Sequence, residues 1–159
     1  MSRKSWIAFG AATIVAIGIG VVQSIHSIAD SPVIAQRRAL MKEMGKQMGI
    51  INDFLEKGTG TAADATAAVN MIQANSAKIP DLFPQGTSLN DNVGETGAKP
   101  DIWANFADFK QHAEHLGELA TATAATIPVG EKTAISDAFA NMGKDGCAAC
   151  HQTYRQKLN

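Results

Sequence analysis

The most chemically specific residues of the sequence are Cys147, Cys150 and His151, which form a Cys-x-x-Cys-His run. No other cysteine occurs among the 159 residues. On a helix the two thiols lie one turn apart, so each can add across one vinyl group of a haem, and the adjacent histidine can reach the iron. The run therefore predicts one covalently attached haem c, held by two thioethers.

Three other chemistries use closely spaced cysteines, and each fits these residues less well. A structural zinc site needs four ligands, and the run supplies three unless it recruits His112 or His115, both of which we expect to be solvated. A thioredoxin-type redox pair is expected in a βαβ setting, but the sequence has no strand pattern. A disulfide across so short a loop within a helix would have poor geometry. Haem attachment remains the favoured chemistry.

The first 29 residues predict export across the cytoplasmic membrane. Arg3 and Lys4 precede an uncharged apolar run at residues 6–22, and Ser27 and Ala29 provide the small residues of a cleavage site. This run has 17 residues, longer than the ~7–15 of a typical signal core and equal to the ~17 at which a membrane span becomes feasible. A cleaved signal peptide and a retained membrane anchor both stay open, and either one predicts a periplasmic location for residues 30–159.

The composition argues against several other classes of protein. The chain has 14 Lys and Arg against 15 Asp and Glu, so no basic surplus indicates nucleic acid binding and no acidic excess indicates disorder. Aromatic residues make up only 6% of the chain, and β-branched residues are sparse after the N-terminus. This composition favours packed helices over a sheet.

The spacing of apolar residues predicts four amphipathic helices within one domain at residues 30–159. A Thr61 and Asp64 capping box is expected to open the second helix. Residues 79–99, with several Pro and Gly, predict a long irregular crossing between the second and third helices. The expected helices span residues 32–57, 61–78, 100–126 and 131 onward, and the last of these carries the Cys-x-x-Cys-His run. The prediction is an all-α, antiparallel four-helix bundle with covalently attached haem.

A Cys-x-x-Cys-His run on the last helix of such a bundle resembles the cytochrome c′ family, the class II c-type cytochromes. The resemblance covers residues 32–159. The matching segments are residues 37–41 in the first helix, 79–83 in the crossing, 99–103 and 109–111 in the third helix, and 147–155. Only the last segment is specific on its own, but the order and spacing of all five support the resemblance.

The resemblance makes Met41 a candidate sixth ligand of the iron. In low-spin members of the family a methionine at this position ligates through its thioether sulfur, whereas high-spin members leave the iron five-coordinate. Met44 and Met48 continue the same helical stripe, so core packing is an alternative role for this side chain. The predicted metal ligands are therefore His151 and Met41.

The resemblance also implies that two arginines lie beside the haem. Arg37 matches a family arginine that could pair with a haem propionate, and Arg155 is expected one helical turn after His151, flanking the proximal pocket. Solvated surface charges are the alternative interpretation of both. We further expect Tyr154 and Phe139 to pack against the haem edge.

These features together predict a periplasmic monohaem electron carrier that cycles between Fe(III) and Fe(II) and exchanges electrons with redox partner proteins. If Met41 does not ligate, the alternative is a five-coordinate haem protein that binds nitric oxide or carbon monoxide. No distal histidine is expected to be placed for acid-base work, so no enzyme activity such as peroxidation is predicted. A homodimer through the first two helices is left open.

Overall fold

Helices form the regular structure of residues 31–158, the part of the chain that the computed structural model describes. The predicted signal peptide or anchor, residues 1–29, lies outside these residues. The α-helices are α1 (Pro32–Lys57), α2 (Ala62–Ser76), α3 (Asp101–Ala104), α4 (Phe106–Thr126), α5 (Lys132–Asn141) and α6 (Ala149–Tyr154). Short 3₁₀ turns occupy Pro80–Leu82 and Ile127–Val129, and a π-helical segment, Met142–Ala148, joins α5 to α6.

The predicted antiparallel four-helix bundle is confirmed. Its members are α1, α2, α4 and the continuous run from α5 to α6, and their apolar stripes meet in one core. The most deeply buried large side chains include Ile51, Ile72 and Ile102. Among residues 31–158, none of the helices is both long and apolar enough to cross a membrane.

One end of the bundle is closed by two short turns, residues 58–61 and 127–131, and we call it the turn end. Gly58 ends α1 in the left-handed region at φ +64°, which a glycine adopts without steric penalty. The predicted capping box opens α2, because the Thr61 hydroxyl accepts from the Asp64 amide at 3.1 Å and the Asp64 carboxylate accepts from the Thr61 amide at 2.9 Å. Leu55, Ile127 and Ile135 are buried between the turns, where they line a small cavity of about 200 Å³.

The third predicted helix is interrupted at Asn105, where the sequence indicated no break. Asn105 leaves the helical region at φ −127° and ψ 43°, and it separates α3 from α4. Its side-chain amide donates to the carbonyl oxygen of Asp101 at 3.2 Å. Asparagine often makes such local bonds to the backbone, which compete with helical geometry.

The fourth predicted helix also differs, because its middle is π-helical rather than α-helical. In the π segment hydrogen bonds span five residues, as from the Ala149 amide to the Lys144 carbonyl oxygen. Gly146 lets this segment approach α4 closely, since a Cβ atom there would lie only 2.8 Å from Leu116 Cδ1. The wider turn includes Cys147, the first residue of the Cys-x-x-Cys-His run, and π segments often accompany functional sites.

Candidate functional site

A cavity of about 540 Å³ occupies the end of the bundle away from the turn end, and we call this region the cavity end. Its walls come from α1, α2, α3, α4, α6, the π segment and the crossing between α2 and α3. Most of the lining is apolar, including Ile72, Phe83, Ile102 and Leu116. Volume and lining both fall within the usual range of cofactor sites, about 300–1,000 Å³.

The structure places all three residues of the Cys-x-x-Cys-His run on the wall of this cavity. Cys147 lies in the last turn of the π segment, and Cys150 and His151 lie in the first turn of α6. The two thiols are partly buried and are not bonded to each other. Two vinyl-reactive thiols and an imidazole thus face one apolar cavity, an arrangement that fits a covalently held haem.

The electrostatic environment keeps these three groups uncharged. Burial raises the pKa of the Cys147 thiol. The pKa of Cys150 rises to about 11, mainly through burial and further through the nearby charge of Asp108. Burial, followed by the positive charge of Arg155, lowers the pKa of His151. Neutral imidazole is the form that ligates a metal, whereas a redox-active thiol pair needs a lowered pKa, so the thioredoxin alternative loses support.

Three methionines of α1 share the cavity wall, as their spacing of three and four residues requires. Met41 and Met48 are partly exposed to the cavity, and Met44 is 6% exposed. Gly45 lies between them, and a Cβ atom at this position would meet nothing within 4 Å. The α1 wall therefore presents thioether sulfurs beside open space, which fits a flat cofactor with Met41 within its site.

Arg37 is buried, so it is not the surface charge that the sequence left open. Its Nε and Nη2 atoms donate to the Leu82 carbonyl oxygen at 3.1 and 2.9 Å. Nη1 donates at 3.1 Å both to the Thr87 carbonyl oxygen and to Thr96 Oγ1. Nη2 also donates to Thr87 Oγ1 at 2.8 Å. A guanidinium has five N–H groups, so the crossing takes all of them and none is left for a propionate.

Aromatic rings continue from Arg37 across the cavity wall. The Arg37 guanidinium carbon lies 3.8 Å from the centroid of the Phe83 ring, a cation–π contact. Phe83 then packs edge-on against Phe109 with centroids 4.7 Å apart, and Phe109 packs against Tyr154 at 5.4 Å. Sequence reasoning placed Tyr154 at the haem edge, and this residue does line the cavity, but Phe139 is not among the lining residues.

The mouth of the cavity is crossed by residues 95–99, which we call the mouth strap. Gly97 accepts from the Gln156 amide at 2.8 Å, and the Lys99 amide donates to the Tyr154 carbonyl oxygen at 3.0 Å. A side chain at Gly97 is excluded, because a Cβ atom would lie 2.2 Å from the Gln156 carbonyl oxygen. The strap thereby ties the crossing to the chain that follows the Cys-x-x-Cys-His run.

This strap also changes the setting predicted for Arg155. The sequence placed Arg155 on a helix, but α6 ends at Tyr154, and Arg155 adopts an extended conformation that forms an antiparallel bridge with Ala98. Its amide still donates to the His151 carbonyl oxygen at 3.1 Å. Arg155 is therefore exposed at the cavity mouth while remaining close enough to influence His151.

His112 differs from its predicted solvated position, because it lines the cavity and its side chain is only 25% exposed. Its Nε2 atom lies 3.5 Å from Asp108 Oδ2, an oxygen that also accepts from the Tyr154 hydroxyl. Burial, then the bond to Asp108, raises the pKa of Tyr154 to about 12. His115 is exposed beside Glu118, as expected. Between residues 31 and 158, no three or more His, Cys, Asp or Glu side chains are grouped to hold a metal ion.

Comparison with known proteins gives consistent matches over the bundle. The family model described as cytochrome C′ matches residues 32–155. A cytochrome c-556 from Agrobacterium fabrum is 39% identical over 128 residues, which cover 78% of this chain and 81% of that protein. A cytochrome c′ from Rhodopseudomonas palustris is 33% identical, with 88% and 92% covered. The crystal structure of cytochrome c′ from Thermochromatium tepidum superposes with a TM-score of 0.69 at 35% identity, covering 81% of this chain and all of that one.

Proposed function

The chain belongs to the cytochrome c′ family and is a c-type haem cytochrome, and from this premise we propose that it carries single electrons in the periplasm. We assign thioether attachment of its one haem c to Cys147 and Cys150. His151 is the proposed proximal ligand and Met41 the proposed sixth ligand. The bound haem supplies one-electron chemistry between Fe(III) and Fe(II).

The observation that supports this proposal is the single apolar cavity that both thiols, His151 and Met41 line together. Its walls exclude water from most of a bound macrocycle, and the mouth strap leaves an edge accessible for electron exchange. The low pKa of His151 keeps the imidazole in its ligating form. Ligation by a thioether favours the reduced state and limits rearrangement during electron transfer.

Spectroscopy of the haem-loaded protein tests the ligand assignment. Visible and EPR spectra would be recorded for the wild type, Met41→Ala and Met44→Ala, in both oxidation states. Met44 is the matched control, since it lines the same wall three residues further along α1. We expect a low-spin spectrum in the wild type and in Met44→Ala, and a high-spin spectrum in Met41→Ala. Loss of the low-spin state in Met44→Ala alone would move the assignment to Met44.

Binding of nitric oxide or carbon monoxide is the second candidate function, and the apolar wall supports it. Met44, Ile72 and Phe83 line the same cavity as Met41 and offer no hydrogen-bond donor from their side chains. Without a sixth ligand, small apolar gases would be favoured over larger polar ligands. A wild-type spectrum that is high-spin and unchanged in Met41→Ala would make this the working function.

We propose no enzymatic role, although the position of His112 makes a direct assay necessary. Peroxide turnover would be compared between the wild type, His112→Ala and free haem. Turnover that is well above free haem and lost in His112→Ala would overturn this proposal, because it would identify His112 as an acid-base group.

The proposed location and partners follow from the sequence. Cell fractionation with a mass measurement tests both periplasmic export and whether residues 1–29 are removed. Redox partner proteins are the expected partners.

Pairing of two copies through α1 and α2 is an additional proposal, to be checked by analytical ultracentrifugation. Met71 of α2 is 45% exposed and would lie in this pairing surface.

A further inference from the structure

We propose that Arg37 is a potential-setting residue, which raises the reduction potential of the bound haem by holding a buried positive charge on the cavity wall that no carboxylate of the described residues pairs with. The inference rests on the proposed electron-carrier function. It assigns Arg37 a role different from that of a propionate partner, because all five of its N–H groups are already bonded to the crossing. The Arg37 residue as a whole is 5% exposed, so water screens its charge little.

The partners of Arg37 satisfy its hydrogen bonds without neutralising its charge. Its acceptors are two carbonyl oxygens and two hydroxyl oxygens, contributed by Leu82, Thr87 and Thr96. The remaining contact is the face of the Phe83 ring. Within the described residues no carboxylate forms an ion pair with this guanidinium. Buried charges in proteins are usually paired, so this arrangement keeps a full charge where a neutral residue would be less costly.

The acidic groups near the crossing have other partners. Glu95, adjacent to Thr96, lies 3.3 Å from Arg38, and both of these side chains are largely exposed. Asp91 accepts from the amide and the hydroxyl of Ser88. Asp81 is exposed beside Leu82. None of these three carboxylates therefore forms an ion pair with Arg37, although Glu95 lines the same cavity.

The charge persists at neutral pH. Burial lowers the pKa of Arg37 to about 10, which still leaves the group protonated by a wide margin.

Reduction of Fe(III) to Fe(II) by an external one-electron donor removes one positive charge from the iron. A neighbouring cation disfavours the oxidised state, and the low dielectric of an apolar cavity strengthens this effect. The charge thus favours the reduced form.

Three variants separate charge from structure in the haem-loaded protein. Arg37→Met removes the charge, whereas Arg37→Lys keeps it but loses the planar five-donor arrangement. Lys42→Met is the matched control, since it removes a positive charge from an exposed position of the same helix that is not among the cavity-lining residues. Reduction potentials would be measured by mediated titration at low and high salt. Hydrogen exchange of residues 82–96 would report separately on how firmly the crossing is held.

At the wild-type midpoint, we expect the ratio of reduced to oxidised protein to fall about tenfold in Arg37→Met, which is about 59 mV for a one-electron couple. The ratio should change less than about twofold in Arg37→Lys and in Lys42→Met. Hydrogen exchange in residues 82–96 should accelerate in both Arg37 variants, because both lose hydrogen bonds to the crossing. A merely structural role would therefore affect both variants alike, whereas a charge effect changes the potential mainly in Arg37→Met.

Equal shifts in Arg37→Met and Lys42→Met, or equal shifts in Arg37→Met and Arg37→Lys, would overturn the proposal. If Arg37→Met does not fold, a large shift in Arg37→Lys alone would overturn it as well. Visible spectra of each variant distinguish this outcome from failure of the ligand assignment, because a high-spin wild type would contradict Met41 ligation while leaving the potentials measurable.

Discussion

The two ends of the bundle are built by different kinds of contact. At the turn end, residues close in sequence close the structure: Gly58 ends α1, Thr61 and Asp64 start α2 three residues later, and Gly130 follows a single 3₁₀ turn. At the cavity end, closure depends on bonds between distant residues, such as Arg37 to Thr96 and Gly97 to Gln156. The turn end holds a small cavity of about 200 Å³, whereas the cavity end encloses about 540 Å³.

This difference separates what stabilises the bundle from what forms the site. Apolar burial at the turn end stabilises the helices whether or not the cavity is filled. Hydrogen bonds of the crossing and the mouth strap at the cavity end define the opening of the site. Substitutions at the turn end should therefore change stability alone, and substitutions at the cavity end should change stability and the haem environment together.

The largest effect is expected for Leu55→Ala at the turn end. Leu55 is 5% exposed, and truncation of a buried leucine lowers the free energy of unfolding by about 3 kcal/mol. Denaturant unfolding of the haem-loaded protein measures this loss, with Val129→Ala, at a 70% exposed position of the turn end, as a control that should change stability by less than about 0.5 kcal/mol. A changed visible spectrum in Leu55→Ala would contradict this prediction, because it would show that the turn end also affects the haem environment.

A somewhat smaller loss, about 2 kcal/mol, is expected for Gly97→Ala at the cavity end. The added methyl group collides with the Gln156 carbonyl oxygen, and the bond from the Gln156 amide to Gly97 is strained or lost. Here the haem environment should change as well, which solvent quenching or peroxide bleaching of the haem would detect. Gly49→Ala is the matched control, since nothing lies within 4 Å of its added Cβ atom and a helical alanine is favoured. Unchanged haem exposure in Gly97→Ala would show that the mouth strap does not guard the site.

The smallest effect, about 1 kcal/mol, is expected for Thr61→Ala, which removes the capping box of α2. The stability difference between the wild type and Thr61→Ala should depend on pH, because hydrogen bonds from Thr61 hold the pKa of Asp64 below 3.8. A lowered carboxylate pKa stabilises the fold fully above the unfolded pKa, and this contribution disappears as the pH falls through the folded pKa. The difference between wild type and variant should thus narrow below about pH 4. A difference that is constant down to pH 2 would contradict a role for the Asp64 carboxylate.

The same contrast explains which features the sequence could predict. The bounds of α1, the capping box and the termination near Gly130 were predictable, because each depends on residues within a few positions of one another. The Cys-x-x-Cys-His run was equally local. The π segment was not predicted, because the same apolar spacing also fits an α-helix.

Long-range packing accounts for the remaining differences. Nothing in the sequence near Arg37 indicates that Leu82, Thr87 and Thr96 would enclose it, although a threonine-containing crossing opposite an arginine offered a weak signal. His112 was expected in solvent because its neighbours in sequence are polar. Its position on the cavity wall results from the packing of α4 against α6. Arg155 left the helix because the mouth strap pairs with it.

The contacts of the cavity end also have a consequence for the order of folding. The bond between Arg37 and Thr96 closes a loop of 59 residues, whereas the turn at residues 58–61 connects neighbouring helices directly. Closing a long loop loses more chain entropy and takes more time, so we expect the turn end to form first. Pulse-labelled hydrogen exchange during refolding would follow this order, and early protection of the Gln156 amide would contradict it. A haem that arrives during refolding then meets a bundle that is hinged at one end and still open at the other.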